Sequence, residues 1–124
     1  MARYYETYNR LSRDPDADLL AVYDVAVDPQ SEKAYVQLSA IRAAGQRQTG
    51  DIKAVVEAFI IGDSPTSYIA DVCVDTAKAD VIDADGNSVW SQSELRRTYA
   101  TIWVERMGST YAVSEIQAHI DQPC

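Results

Sequence analysis

The apolar residues of this chain change their spacing once, near Gly50, and that change constrains the fold more than any other feature. Before it they recur at three- and four-residue intervals, as on a helix with one buried face; after it they alternate, as on a strand. Residues 2–12 carry Tyr4, Tyr8 and Leu11 at i, i+4 and i+7. Arg13-Asp14-Pro15-Asp16 ends that helix, because proline disfavours helical geometry in the residue before it. A second short helix is expected with Leu20, Tyr23 and Val27 on one face and Asp16 or Asp18 near its start. Asp28-Pro29 restarts the chain, aspartate as N-cap and proline at the first helical position. The third helix runs to about Ala44 with Ala34, Leu38 and Ile41 inward, and Gly45 stops it.

Beyond Gly50, Ile52, Ala54, Val56, Ala58 and Ile60 alternate with Lys53, Val55, Glu57, Phe59 and Ile61, a strand partly apolar on both faces. Gly62-Asp63-Ser64-Pro65 is a turn cluster. Residues 68–82 read as one long strand with a kink, and residues 83–88 as a loop. Residues 97–106 alternate again, with Tyr99, Thr101 and Trp103 opposite Thr98, Ala100, Ile102 and Val104; a turn at Met107-Gly108-Ser109 leads into a last strand over 111–120. The expected fold class is α+β: three N-terminal helices packed on a curved antiparallel sheet of about four strands. At 124 residues this is one domain spanning 1–124, large enough to bury roughly two-thirds of the surface its unfolded chain exposes.

Charge narrows the partners. The 19 acids and 11 bases give −8, the wrong sign for electrostatic binding of nucleic acid or of an anionic membrane. No run approaches the ~18 apolar residues of a spanning helix, so direct membrane insertion by this segment is not expected. Met1 to Glu6 lacks the apolar core of a signal peptide. The chain is then either cytoplasmic as written or a mature domain whose targeting segment is missing.

Several short patterns carry a resemblance: Tyr4-Tyr5-x-x-Tyr8, Leu20-x-x-x-Asp24, Gln48-Thr49-Gly50, Tyr68-x4-Cys73-x-Asp75, Asp83-Ala84-Asp85-Gly86 and a terminal Cys124. In this order the chain resembles the nuclear transport factor 2-like (cystatin-like, cone-shaped) superfamily, and within it the small extracytoplasmic domains of actinobacteria. The resemblance implies a fold and a compartment more than an activity. Members include polyketide cyclases, dehydratases and ketosteroid isomerases as well as non-enzymatic adaptor domains, and fold does not choose among them. It also implies that Cys73 pairs with Cys124. Such a bridge would persist outside the cytosol; the alternative is a buried Cys73 and a free tail thiol. Two cysteines and one histidine offer no zinc spacing.

Candidate sites are few. Residues 83–94 nearly match the calcium loop of an EF-hand, with oxygens from Asp83, Asp85, Asn87 and Glu94; Ser88 stands where the loop needs glycine, and strand-like flanks favour a plain polar turn. His119 is the single histidine. It is placed on the face of Tyr111, Val113, Glu115 and Gln117, with Glu115 too far along the strand to serve as its partner. Asp24 beside Tyr23 could form an acid–base site if inward, and Tyr8, Tyr23, Asp24, Tyr99 and Trp103 could line a cone pocket; tyrosines at helical spacing also read as core with a polar tip. Val55, Phe59 and Ile61 on one strand face suggest a homodimer through the sheet. The expectation is a non-catalytic extracytoplasmic interaction or assembly domain without cofactors, acting on an unknown protein partner. The alternative is a small-molecule binder, or an enzyme of the cyclase, isomerase or dehydratase type.

Overall fold

A computed structural model describes residues 2–61, 65–90 and 96–124, with backbone alone at Ile61. Its helices are α1 (Ala2–Arg13), a 3-10 helix (Leu19–Asp24) and α2 (Gln30–Ala43). Six strands follow: β1 (Arg47–Thr49), β2 (Lys53–Ile61), β3 (Ser67–Asp75), β4 (Asp80–Ile82), β5 (Arg97–Met107) and β6 (Thr110–Pro123). The main sheet is antiparallel in the order β2-β3-β5-β6, and β1 pairs with β4 in a separate two-stranded ribbon. The class is α+β with helices first, as the change of period predicts. The strand number exceeds the expected four for two reasons: Arg47–Thr49 forms a short strand of its own, and the long strand expected over 68–82 breaks. Asp75 Oδ1 accepts from the Ala77 N–H, and the Ala79 N–H closes a turn on the Thr76 carbonyl. Val81 then pairs opposite Gln48 instead of staying in the main sheet.

The helices cover one face of the sheet. Val22, Ala34 and Leu38 bury against Ala70, Val72, Ala100 and Ile102, all nearly inaccessible to water. The second helix departs from expectation. It is a short 3-10 helix capped by Asp18, whose carboxylate accepts from the Leu20 N–H at 3.0 Å. It buries Leu19 and Val22, while Leu20 and Tyr23 face solvent. The cause is tertiary. The Val27 N–H donates to the Val113 carbonyl and the Val113 N–H to the Val25 carbonyl, so residues 25–27 extend beside β6 and cannot continue a helix. At α2, Pro29 occupies the cap position without a side-chain cap, and Asp28 instead accepts from the Ser31 hydroxyl at 2.8 Å.

A buried amide network ties α1 to the start of β2. Asn9 Nδ2 donates to the Ile52 carbonyl at 2.9 Å and Asn9 Oδ1 accepts from the Ile52 N–H at 3.0 Å, so one side chain imitates a neighbouring strand. Gln48 Nε2 donates to the same Oδ1 at 2.7 Å, and Ser12 Oγ donates to Gln48 Oε1 at 2.9 Å. Every member is satisfied, which is the condition under which buried polar groups stabilise rather than cost. Gly50 sits beside this network with φ +68°, and a Cβ there would lie 1.8 Å from the Lys78 carbonyl oxygen. Only glycine fits that approach.

Three register shifts interrupt the main sheet, and two of them decide the faces of the candidate residues. The β2–β3 register slips between Val56 and Ala58, leaving Glu57 as the extra residue. Val55 therefore shares the open sheet face with Cys73, whereas Phe59, opposite Ala70, points to the helix side. Val55 and Phe59 thus do not share the single apolar face, with Ile61, that strict alternation predicts; the Ile61 side chain lies outside the described residues. In β6 the register slips at Ser114, between Val113 and Glu115. Val113 is core, while Glu115, Gln117 and His119 face the open side; the common face expected for Tyr111, Val113 and His119 is split by that inserted residue.

Candidate functional site

Three surfaces emerge. The first is a cleft of about 330 Å³ between α1, α2 and the sheet. Its floor is Ile52, Val74, Ile116 and Ala118; its wall is Tyr4, Tyr5 and Tyr8; Gln30, Lys33 and Gln37 of α2 close the other side. The tyrosines stack along one helix face, with Tyr4 and Tyr5 edge to face at 5.1 Å and Tyr4 and Tyr8 stacked at 6.2 Å. Gln30 Nε2 donates to the Tyr4 hydroxyl at 2.9 Å. Burial pushes the Tyr4 pKa up to about 12, and it raises those of Tyr5 and Tyr8 as well. At neutral pH these hydroxyls are neutral and can donate. No carboxylate lines this cleft, so its chemistry is hydrogen bonding, one ammonium and apolar contact.

The second surface is the end of the sheet that the helices leave uncovered. There Phe59, Tyr68, Val104 and Tyr111 line a notch of about 330 Å³ on the helix side. The rings of Phe59 and Tyr68 lie 5.4 Å apart and those of Tyr68 and Tyr111 5.5 Å apart. Hydrogen bonding between the Tyr68 and Tyr111 hydroxyls raises the Tyr68 pKa, with the Arg106 charge opposing. The notch borders β2, which is an edge strand of the sheet. Val55, Val56, Phe59 and Ile60 of that strand are 57%, 47%, 58% and 50% exposed, a run of large apolar side chains on both faces.

The third lies on the open sheet face. His119 Nε2 is 2.8 Å from Thr101 Oγ1, which in turn donates to Asp71 Oδ1 at 3.1 Å. With the hydroxyl proton committed to Asp71, His119 Nε2 is the donor to Thr101. The partner of His119 thus comes from the neighbouring strand, not from Glu115 on its own. This order differs from a hydrolase triad, in which the carboxylate holds the histidine rather than the nucleophile. Alternation placed Asp71 and Thr101 on strand faces, but only the register β3-β5-β6 makes them neighbours.

Of the residues expected to line a pocket, Tyr8 lines the cleft. Tyr23 and Asp24 sit exposed at the end of the 3-10 helix, Tyr23 packed on Tyr35 with ring centroids 5.8 Å apart. Tyr99, opposite Cys73, and Trp103, opposite Ile69, belong to the open face and do not meet Tyr8. Sequence reading missed Lys33 and Gln37, whose exposed helical positions carry no apolar signal, and Gln30, a polar residue that is buried beside Tyr4. Cys73 and Cys124 form a disulfide with Cα atoms 5.8 Å apart, which fastens the last residue to the buried Cys73 near the C-terminal end of β3. In the acidic loop, Asp83 Oδ1 accepts from the Asp85 and Asn87 N–H groups, each at 2.9 Å. That carboxylate shapes a turn in which Asp85 and Asn87 are exposed; Glu94 and residues 62–64 lie outside the described residues. Among the described residues, no three His, Cys, Asp or Glu side chains cluster as metal ligands, and no helix is long and apolar enough to cross a membrane.

No family model matches the sequence, and no curated protein matches it. Among solved structures, the chain is similar to the intermembrane-space region of the chloroplast protein ARC6, with a TM-score of 0.77 over 94% of this chain and 88% of that one. The identity is 12%, so the likeness is one of fold.

Proposed function

We propose that this chain is a non-catalytic, extracytoplasmic interaction domain of the nuclear transport factor 2-like superfamily that docks a protein partner on the β2 end of its sheet. The observation that carries the reading is the exposed apolar run Val55, Val56, Phe59 and Ile60 on an edge strand. An edge strand presents unpaired backbone groups along its free side, and natural proteins usually blunt such edges with charge. Here Lys53 and Glu57 are the charged residues of a nine-residue strand, and Asn9 of α1 covers only its approach at Ile52. A partner strand added beside Phe59 would gain backbone hydrogen bonds together with an aromatic seat. The open face behind β2, with Val55 and Ile60, also suits a second copy of the chain.

The disulfide supports an oxidising compartment. The ARC6 region of like fold is, by its name, an intermembrane-space region, and the resemblance to actinobacterial extracytoplasmic domains also points away from the cytosol. The test is proximity labelling of the chain in its native cell, comparing wild type with the double variant Phe59→Asp, Ile60→Asp. Loss of a defined set of neighbours, with the melting temperature kept, supports docking through β2. Identical neighbour sets for both proteins refute it. A second reading, small-molecule binding in the tyrosine cleft, is favoured by the donors that line it.

A further inference from the structure

The cleft wall carries an unpaired cation. Among the described residues, ion pairs join Arg13 to Asp51 and Arg97 to Asp75, and Lys33 belongs to neither. The sequence explains why. Pro29, Gln30, Val36 and Gln37 occupy the positions three and four residues from Lys33, so α2 offers it no acidic partner. Across the cleft the Tyr8 hydroxyl donates to Gln37 Oε1 at 3.5 Å, which leaves the Gln37 amide hydrogens free to point elsewhere. One ammonium and neutral donors with no carboxylate opposite make a subsite for a small anion. The floor beneath is apolar: Ile52, Val74 and Ile116.

We infer that the cleft binds a small free amphipathic carboxylate, its head on Lys33 and the Gln37 amide and its apolar body on the Ile52, Val74 and Ile116 floor. This goes beyond docking through β2, since none of the cleft residues belongs to the Phe59 end. Charge complementarity chooses the acid over an amine or a neutral alcohol of the same length. The surrounding surface, at −8 overall, disfavours anions at long range, so selectivity arises only where Lys33 is within contact distance.

The experiment uses nonanoate, 1-nonanol and nonylamine as probes, titrated into the intact chain and followed by backbone amide chemical shifts and calorimetry. The expected result is tightest binding of nonanoate, with shifts concentrated at Tyr5, Tyr8, Lys33 and Ile52. Lys33→Gln should weaken nonanoate about tenfold while leaving nonanol unchanged, and Lys33→Arg should retain binding. Lys33 is exposed, so both variants are expected to fold, and unchanged melting temperatures check this. Equal affinity for acid and alcohol, an unaffected Lys33→Gln variant, no binding of any probe, or shifts confined to Phe59, Tyr68 and Tyr111 would each overturn the assignment. Failure here leaves docking through β2 standing, because the Phe59→Asp, Ile60→Asp variant tests a different surface.

Discussion

Replacing Cys124 with serine removes the crosslink while leaving the Cys73 thiol in place as a small buried hydrophobe. The two cysteines are 51 positions apart. On the chain-entropy relation, closing a loop of that length lowers the entropy of the unfolded chain by an amount worth about 4 kcal/mol at 25 °C. Near the bridge, the Cys124 N–H donates to the Arg97 carbonyl at 3.2 Å and Pro123 pairs opposite Thr98, so the tail has few other holds. Cys124→Ser should therefore lose about 4 kcal/mol in urea unfolding, and roughly 15 °C in Tm for a chain of this size. Amide exchange should accelerate at the end of β6 while α1 and the β3–β5 pairing stay protected relative to global stability. Measuring oxidised wild type, reduced wild type and Cys124→Ser side by side separates the crosslink from the substitution. A loss below about 1 kcal/mol in both the reduced and the substituted protein would refute the loop-entropy reasoning, showing that the unfolded chain is already restricted or that the tail docks without the bond.

Asn9→Ala should cost about 3 kcal/mol in chemical denaturation, because it strands the buried Ile52 N–H and carbonyl and the Gln48 amide; a loss under 1 kcal/mol would mean water replaces the side chain. Tyr4 has a folded pKa raised from 10.0 to about 12, so the folded state holds its proton more tightly than the unfolded chain. That stability is fully present below pH 10 and is lost as pH rises toward 12, by about 3 kcal/mol over two units; Tyr4→Phe should remove this share of the alkaline decline and leave the shares of Tyr5 and Tyr8, at the cost of the Gln30 hydrogen bond, and an unchanged decline would contradict the burial argument. Gly50→Ala should destabilise by more than about 2 kcal/mol, since its methyl meets backbone at Lys78 and not a movable side chain. Added calcium should leave Tm unmoved, and Asp83→Ala should cost about 1 kcal/mol through the turn alone; a calcium-dependent rise in Tm would reopen the metal reading.

The two sites differ in how far they could be read in advance. Tyr8 was legible as a cleft residue because helical spacing puts it on the face of Tyr4 and Leu11, and that face must meet the sheet. Lys33 and Gln37 were not, because polar residues on a helix look alike whether they face solvent or a cleft. Tyr99 and Trp103 illustrate the opposite difficulty. Their alternation with Ala100 and Ile102 was plain, yet the pattern does not say which face the helices will cover. His119 acquired its neighbours Thr101 and Asp71 only when three strands came into register, since hydrogen-bond reach across a sheet has no local signature in any one strand.

The sequence by itself determined the α+β class, the helix-first order, the apolar stripe of α1 and the two-faced alternation of β5, because hydrophobic period is set by local geometry and survives in any tertiary context. Tertiary structure alone decided the rest. It shortened the second helix, because pairing of residues 25–27 with Val113 replaces helical hydrogen bonds by strand-like ones. It split the long strand, because Val81 finds a partner in Gln48. It turned Phe59 and Val55 to opposite faces through one extra residue at Glu57. A period-2 pattern carries its phase only while the register holds, so a single inserted residue reverses every side chain beyond it.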